Sequence, residues 1–339
     1  MAFHSIAFGL GTRSAAGAWL EVFFPAPIFH PDTAIIEAIG GALGYTGGNQ
    51  DINLTDTQLE ALAGVVPDAQ KAIVTGLTGA SGSAVATFIE SDDALTTTPE
   101  TYLKLHLLSH RHVLPNEQNL DNIYPLLPNV AWTNLGSVDL EDLPARQLQE
   151  RAAGRLLMVN SVDKFPRMTD YVVPAGVRIA HASRVRLGAY VGEGTTVMHE
   201  GFVNFNAGAI GPNMVEGRIS QGVTVGAGSD LGGSASTAGT LSGGGNIVIT
   251  IGKDCLVSAN AGTGIPLGDR CTIEAGLYIT PGTVVQVVDE SRNPVRKAKA
   301  RELAGHSDML FIRNSQTGVV ECRTNTRAIQ LNETLHSHN

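Results

Sequence analysis

The sequence predicts a mixed α/β N-terminal domain, a β-solenoid and a short C-terminal β extension. Three observations predict the solenoid. From Val173 onward aliphatic residues return every six positions, as Ile179, Val185, Val191, Val197 and Val203. Small or β-branched residues keep the same rhythm four places on, at Val177, Ser183, Ala189, Thr195, Gly201 and Ala207. The chain has 39 glycines and only 5% aromatic residues, which suits narrow coils filled by valine and isoleucine. A period of six fits neither a helix nor a simple alternating strand over this length, but it fits a triangular coil that turns a corner every six residues. One aliphatic side chain per face then points inward, and stacked coils bury a continuous column.

At 339 residues the chain is long enough for two domains, and residues 1–165 read as the α/β one. Phe3 to Leu10 and Trp19 to Phe24 are expected strands, punctuated by Gly9, Gly11 and Gly17. Asp32 opens a helix carrying Ile35, Ile36 and Ile39 that is expected to stop at Gly40-Gly41. Thr55 or Asp56 opens another, and Thr98-Pro99-Glu100 starts a third through Leu103, Leu107 and Leu108. A last helix is expected over Leu143 to Ala153. The solenoid follows over 166–288, and its frame shifts after Val215, before Ile251 and before Leu267. Such shifts predict insertions at coil corners. The longest is the glycine-rich run 232–246, too small to build a core, and loops on a rigid scaffold collect binding residues. Residues 289–339 begin with the basic run Arg292, Arg296, Lys297, Lys299 and Arg301. Two expected strands, Leu310 to Ile312 and Val319 to Arg323, then flank a turn at Arg313-Asn314-Ser315.

The formal net charge of -9 argues against nonspecific nucleic-acid binding, so a bound anion requires local positive charge. The basic C-terminal run is the densest such patch. MAFHSIAFGLG has no basic stretch before a long apolar run and predicts no secretory signal, and no apolar run reaches membrane-spanning length. Cys255, Cys271 and Cys322 are an odd, widely spaced set, which predicts reduced buried thiols in a cytoplasmic protein.

Within the coils two acidic positions stand out, Glu200 and Glu216. Glu216 and Arg218 are two apart, so on a strand they point the same way. They read either as an ion pair or as a catalytic carboxylate beside a carboxylate-binding arginine. His106 and His110 lie four apart on a helix with His112 nearby, but the spacing lacks the carboxylate of HExxH, and an ordinary amphipathic helix accounts for them. His181 and His199 lack a third histidine at a matching coil position, so zinc is not expected. Leu241 to Gly245 resembles a phosphate loop in composition alone, without its GK[ST] ending.

The run MHEGFVNFNAGAIGPNMVEGRISQGVTVGAGSDLGGSASTAGTLSGGG resembles the tetrahydrodipicolinate N-succinyltransferases of bacterial lysine biosynthesis, in the branch with a large N-terminal domain. The likeness extends from SVDKFPRMTDYVVPAGVR through KARELAG and FIRNS to LNETLH, about half the chain. It implies a left-handed parallel β-helix and a homotrimer with active sites between neighbouring solenoids. It also implies transfer of succinyl from succinyl-CoA to the amino group of ring-opened tetrahydrodipicolinate, giving N-succinyl-2-amino-6-oxopimelate. The family's catalytic glutamate falls on Glu216, acting through an acyl-anhydride or as a general base. Its succinyl-CoA contacts fall on Arg218, Gly233, Ser236, Ala259, Glu274, Ala275, Gly282, Lys299, Arg313, Asn314 and Ser315. Gly239, in the loop, is expected to polarise through its main chain. Some relatives bind magnesium on the threefold axis through a glutamate, matching Glu200, and an aspartate, where this chain has Ser183. Magnesium is therefore doubtful here.

Two other readings use the same coils. A hexapeptide acyltransferase for another amine commonly relies on a histidine base, which the Glu216–Arg218 pair does not match. A noncatalytic scaffold leaves Glu216 without a chemical role.

Overall fold

The structure is a computed structural model that describes residues 3–239 and 247–324. It divides into two compact units, the first comprising Met1–Leu107, Gln118–Pro166 and Asp170–Val172, the second Leu108–Glu117, Arg167–Thr169 and Val173–Asn339. No helix among the described residues is long and apolar enough to cross a membrane.

The first unit starts as β1 (Ser5–Arg13), β2 (Trp19–Phe23), β3 (Ile28–Phe29), α1 (Thr33–Leu43), β4 (Gln50–Asn53), α2 (Asp56–Ala63), α3 (Asp68–Leu77), β5 (Ser83–Ile89) and α4 (Thr98–Ser109). The sheet runs β2-β1-β5-β4 with β3 also on β1, all antiparallel. Ile6, Phe8, Ala86 and Phe88, at alternate positions of the two central strands, pack with Ile39, Leu59, Leu62 and Val74 from the helices. α2 opens with a capping box between Thr55 and Gln58. α1 runs through Gly40-Gly41 and stops at Gly44 instead, because only Gly44 takes the left-handed conformation that ends a helix.

α4 departs from the expected amphipathic pattern. Every residue from Pro99 to Ser109 is buried, including Glu100, Lys104 and His106. Burial of such groups requires partners. Lys104 Nζ donates to Asp92 Oδ1 at 2.6 Å, to Asp93 O at 2.8 Å and to Asn119 O at 2.7 Å, which uses all three ammonium protons. His106 Nε2 accepts the Phe24 N–H at 3.2 Å, so its proton sits on Nδ1, which donates to Tyr102 O at 2.7 Å.

In the second unit the chain visits three parallel sheets in rotation. Face 1 holds Ala189–Val191, Ala207–Ala209, Thr224–Val225 and Thr250–Ile251. Face 2 holds Arg178–Ile179, Thr196–Val197, Met214–Val215, Asp230–Leu231, Leu256–Val257 and Thr272–Ile273. Face 3 holds Phe202–Val203, Arg218–Ile219, Ser236–Thr237, Gly262–Thr263 and Tyr278–Ile279. Thr196 pairs with Arg178 on one side and Met214 on the other, so a regular coil takes 18 residues. Val185, Val191, Val197, Val203, Val215, Ile219 and Val225 are fully buried inside, each contributing about 1.5–3 kcal/mol relative to exposure. The series does not start at Val173, which is 71% exposed. Arg178–Ile179 is the edge strand of face 2, so nothing in that sheet covers the residues before it.

The frame shifts have two origins. Only the one before Ile251 is an insertion, where Thr224 pairs with Thr250 across a coil of 26 residues. The shift after Val215 is a contraction, because inward Val215 and Ile219 are four apart where Val197 and Val203 are six apart, and the coil shrinks to 16 residues between Phe202 and Arg218. A second contraction falls between Thr263 and Leu267. Of the expected loop 232–246, Ser236–Thr237 continues face 3, paired with Arg218 and Gly262, and 240–246 lie outside the described residues.

Beyond Val285 the chain forms the antiparallel pair Val284–Val288 and Pro294–Lys299, so most of the basic run is strand with its side chains exposed. Met309–Arg313 then joins face 2 beside Thr272–Ile273 and pairs with Val320–Thr324.

Candidate active site

The contracted corner carries Glu216 and Gly217. Glu216 follows the face 2 strand and Arg218 begins the face 3 strand. The two residues therefore do not share one strand face as their spacing predicts: the chain turns between them. Among the described residues neither forms an ion pair. The neighbouring coils make the same corner with two more residues, so the short one leaves a notch between them. That notch is a cavity of about 350 Å³ lined by Arg184, Glu200, Phe202, Gly217, Arg218, Ser234 and Ala235.

Backbone ladders fix the notch. Glu216 N–H donates to Leu231 O at 2.8 Å, and Arg218 N–H donates to Ala235 O at 2.7 Å. Ser234, in the left-handed region at φ +59°, donates its N–H to Glu216 O at 3.3 Å. At the preceding corner Asn213, fully buried, accepts the Gly211 N–H and donates to Gly226 O and Ser229 O, all within 2.7 Å. A β-carbon on Gly217 would come within 2.6 Å of Ala235 O, so only glycine fits at that corner.

Several of the other predicted residues stand on successive turns of the coil. Asn260 N–H donates to Gly233 O at 2.9 Å and Gly276 N–H to Ala259 O at 2.9 Å, which places Gly233, Ala259 and Ala275 on successive turns of one corner. Glu274 continues that column, and its Oε2 accepts the Arg313 N–H at 2.7 Å. Ser236 and Gly262 stand on face 3 beneath Arg218, and the Tyr278 ring lies over Gly262, 2.3 Å from where a β-carbon would be. Lys299 is exposed and pairs with Val284, and its N–H donates to Glu302 Oε1 at 3.0 Å. Asn314 Nδ2 donates to Glu321 Oε1 at 2.8 Å, fixing the turn that carries Ser315. Gly282 precedes Thr283, whose carbonyl accepts the Ala300 N–H at 2.8 Å. Gly239 ends the described part of the long insertion. Gly233, Ala259 and Ala275 thus form a column of small residues that starts one turn after Glu216.

Sequence reasoning missed Arg184 and Phe202. The signal was present: Arg184, Phe202, Arg218 and Ser236 each precede an inward residue, Val185, Val203, Ile219 and Thr237, and those pair in register. Glu200 is 74% exposed, and its carboxylate lies 3.6 Å from Arg184 Nη2. His181 and His199 face each other at 6.5 Å between centroids, and Ser183 Oγ is 2.8 Å from His181 Nδ1. Among the described residues no three His, Cys, Asp or Glu side chains cluster as a metal site.

Residues 248–281 match the family model described as hexapeptide repeat of succinyl-transferase, and residues 127–167 match that of the middle region of tetrahydrodipicolinate N-succinyltransferase. The coil is thus a hexapeptide-repeat module of the acyltransferase class. The 2,3,4,5-tetrahydropyridine-2,6-dicarboxylate N-succinyltransferase of Pseudomonas aeruginosa PAO1 is 60% identical over 338 residues, covering 99% of this chain and 98% of the relative. The protein of that name from Vibrio cholerae is 52% identical over all of both chains. A crystal structure described as a 2,3,4,5-tetrahydropyridine-2-carboxylate N-succinyltransferase from Campylobacter jejuni superposes with a TM-score of 0.89 at 28% identity, covering 97% of this chain and 94% of that one. The chain belongs to the 2,3,4,5-tetrahydropyridine-2,6-dicarboxylate N-succinyltransferase family.

Proposed function

We propose that the chain transfers the succinyl group of succinyl-CoA to the amino group of ring-opened tetrahydrodipicolinate, in the succinylase branch of diaminopimelate and lysine biosynthesis. The amine attacks the thioester carbonyl, the C–S bond breaks, and CoA leaves as thiol. The amine loses one proton as the amide forms, and Glu216 is the base that takes it and passes it to the departing sulfur. Such assistance is worth about 10²–10⁴ in rate. Arg218 holds the succinyl carboxylate through its planar fork. Gly233, Ser236, Gly239, Ala259, Ala275 and Gly282 give the pantetheine arm a surface of small residues. Glu274 orients Arg313, and Lys299, Arg313, Asn314 and Ser315 hold the CoA end. The observation that carries this reading is the contracted corner, which sets Glu216 beside an arginine-lined notch.

The family relationship supports a left-handed parallel β-helix and a homotrimer whose sites lie between neighbouring coils. A sedimentation measurement giving a stable monomer would defeat that arrangement. Free, buried cysteines and succinyl-CoA as co-substrate favour a cytoplasmic location. For magnesium the residues of this chain fit poorly: Ser183 has no charge, and the guanidinium of Arg184 already stands at Glu200.

Thiol release from succinyl-CoA, measured with and without tetrahydrodipicolinate and against acetyl-CoA, tests the assignment. Release is expected to require the acceptor, to prefer succinyl-CoA, and to fall about 10²–10⁴-fold in Glu216→Gln. No acceptor-dependent release from folded protein would overturn the function. A burst of one CoA per site without acceptor would replace the base role of Glu216 with an acyl-anhydride.

A further inference from the structure

We infer that Arg184 binds a carboxylate of the acceptor, so that Arg184 and Arg218 hold the carboxylates of two different substrates across Phe202; this rests on the proposed transferase reading. Val185 pairs with Val203 and Val203 with Ile219, so the residues just before them, Arg184, Phe202 and Arg218, stand at one register on three successive coils. Two strand spacings, about 10 Å, separate the two arginines along the stack. Both arginines and the phenylalanine line the same cavity. With Arg218 assigned to the succinyl carboxylate, the anionic acceptor still needs a cation in the notch, and Arg184 is the other arginine lining it.

Arg184 is already oriented for that task. Its Nε donates to His199 O at 3.2 Å and its Nη2 to Glu200 O at 3.0 Å. These bonds use two of the five guanidinium protons and leave the rest for a ligand. The Glu200 carboxylate, at 3.6 Å, lies outside hydrogen-bond reach and is largely exposed. It balances the arginine charge without occupying the fork. Phe202, half-buried between the arginines, offers an apolar wall to the methylene chain of a seven-carbon dicarboxylate. The arrangement therefore selects an acceptor by charge at its end and by an apolar stretch in its middle.

Calorimetric binding of pimelate, a seven-carbon dicarboxylate without the reactive amine, tests this without turnover, with hexanoate as the monocarboxylate control. The wild-type protein is expected to bind pimelate at least about 10-fold tighter than hexanoate, and Arg184→Gln to lose roughly 10- to 100-fold of the pimelate affinity. In turnover the same variant is expected to raise the KM for the acceptor by a similar factor while the KM for succinyl-CoA stays within about twofold. Arg184→Lys, which keeps the charge and loses the fork, is expected to fall between. Equal binding of pimelate and hexanoate by the wild-type protein overturns the inference with no variant needed. So does an unchanged pimelate affinity in a folded Arg184→Gln. Absence of acceptor-dependent thiol release in the wild-type protein counts against the transferase reading instead, and the binding comparison still decides whether Arg184 holds a carboxylate.

Discussion

The two units treat their polar side chains in opposite ways. In the first, several ionisable groups sit inside and are used up by their neighbours: Lys104 spends its three protons on one carboxylate and two carbonyls, and His106 has both ring nitrogens engaged. In the second, the inward column of the coils is mostly aliphatic, and Arg184 and Arg218 stand on the outside at the notch, where Arg184 keeps donors to spare. A buried polar group without a partner is costly, so interior ones end up as structural ties. Chemistry needs groups that are held and still free, and the outside of a rigid coil supplies that condition.

Glycine gives the sharpest test of that difference. A β-carbon on Gly192 would lie 1.7 Å from Ile210 O in the next coil, whereas one on Gly41, exposed in α1, would meet nothing within 4 Å. Gly192→Ala is expected to destabilise the second unit by at least about 3 kcal/mol, and Gly41→Ala to stabilise the first by about 0.4–1 kcal/mol. Urea unfolding read by circular dichroism checks both, and equal effects would remove the contrast in packing.

Lys104→Met keeps the volume of the side chain but removes a partner of Asp92 and of two carbonyls. Asp92 keeps the Asn119 N–H at 2.9 Å and solvent, so the two carbonyls carry most of the loss. The variant is expected to cost about 1–3 kcal/mol in the same unfolding experiment. If Lys104 were instead a working group of the site, the variant would keep its stability and lose thiol release.

A smaller effect comes from Glu21, held under the sheet by Thr12 Oγ1 at 2.6 Å and by the Tyr171 hydroxyl at 3.1 Å. Burial pushes its carboxyl above the ordinary range, and those two bonds oppose the push. The folded chain thus holds this proton more tightly than the unfolded chain. The resulting stability is present below the ordinary glutamate pKa and is lost as pH rises through the raised one. The stability difference between wild type and Glu21→Gln is expected to change with pH in that window and to flatten above it. A difference independent of pH would show that Glu21 keeps an ordinary pKa.

The sequence announced the coil through its period and missed much of the first unit. Six-residue spacing is imposed by geometry on every turn, so Val185 to Val203 could be read directly. β5 and α3, central to the first unit, lack such a repeat, and α4, legible by its start signal, was read as amphipathic although it is buried on all sides. Glu216 and Arg218 were legible by type and by resemblance, but their relation was not. Two missing residues look like an insertion when only the phase is seen, and the sign of the change depends on which residues point inward. Arg184 went unnoticed because a neighbour across coils is 18 or 16 positions away.

The contracted corner also works as a dislocation does in a crystal. A stack of identical coils has no preferred level: a ligand that fits one turn fits the next, displaced by one strand spacing. Removing two residues from this corner in a single turn breaks that degeneracy along the corner's own column and gives the column one address. Lengthening the Glu216-Gly217 corner by two residues would make that column uniform, and it would lose its origin while keeping its order.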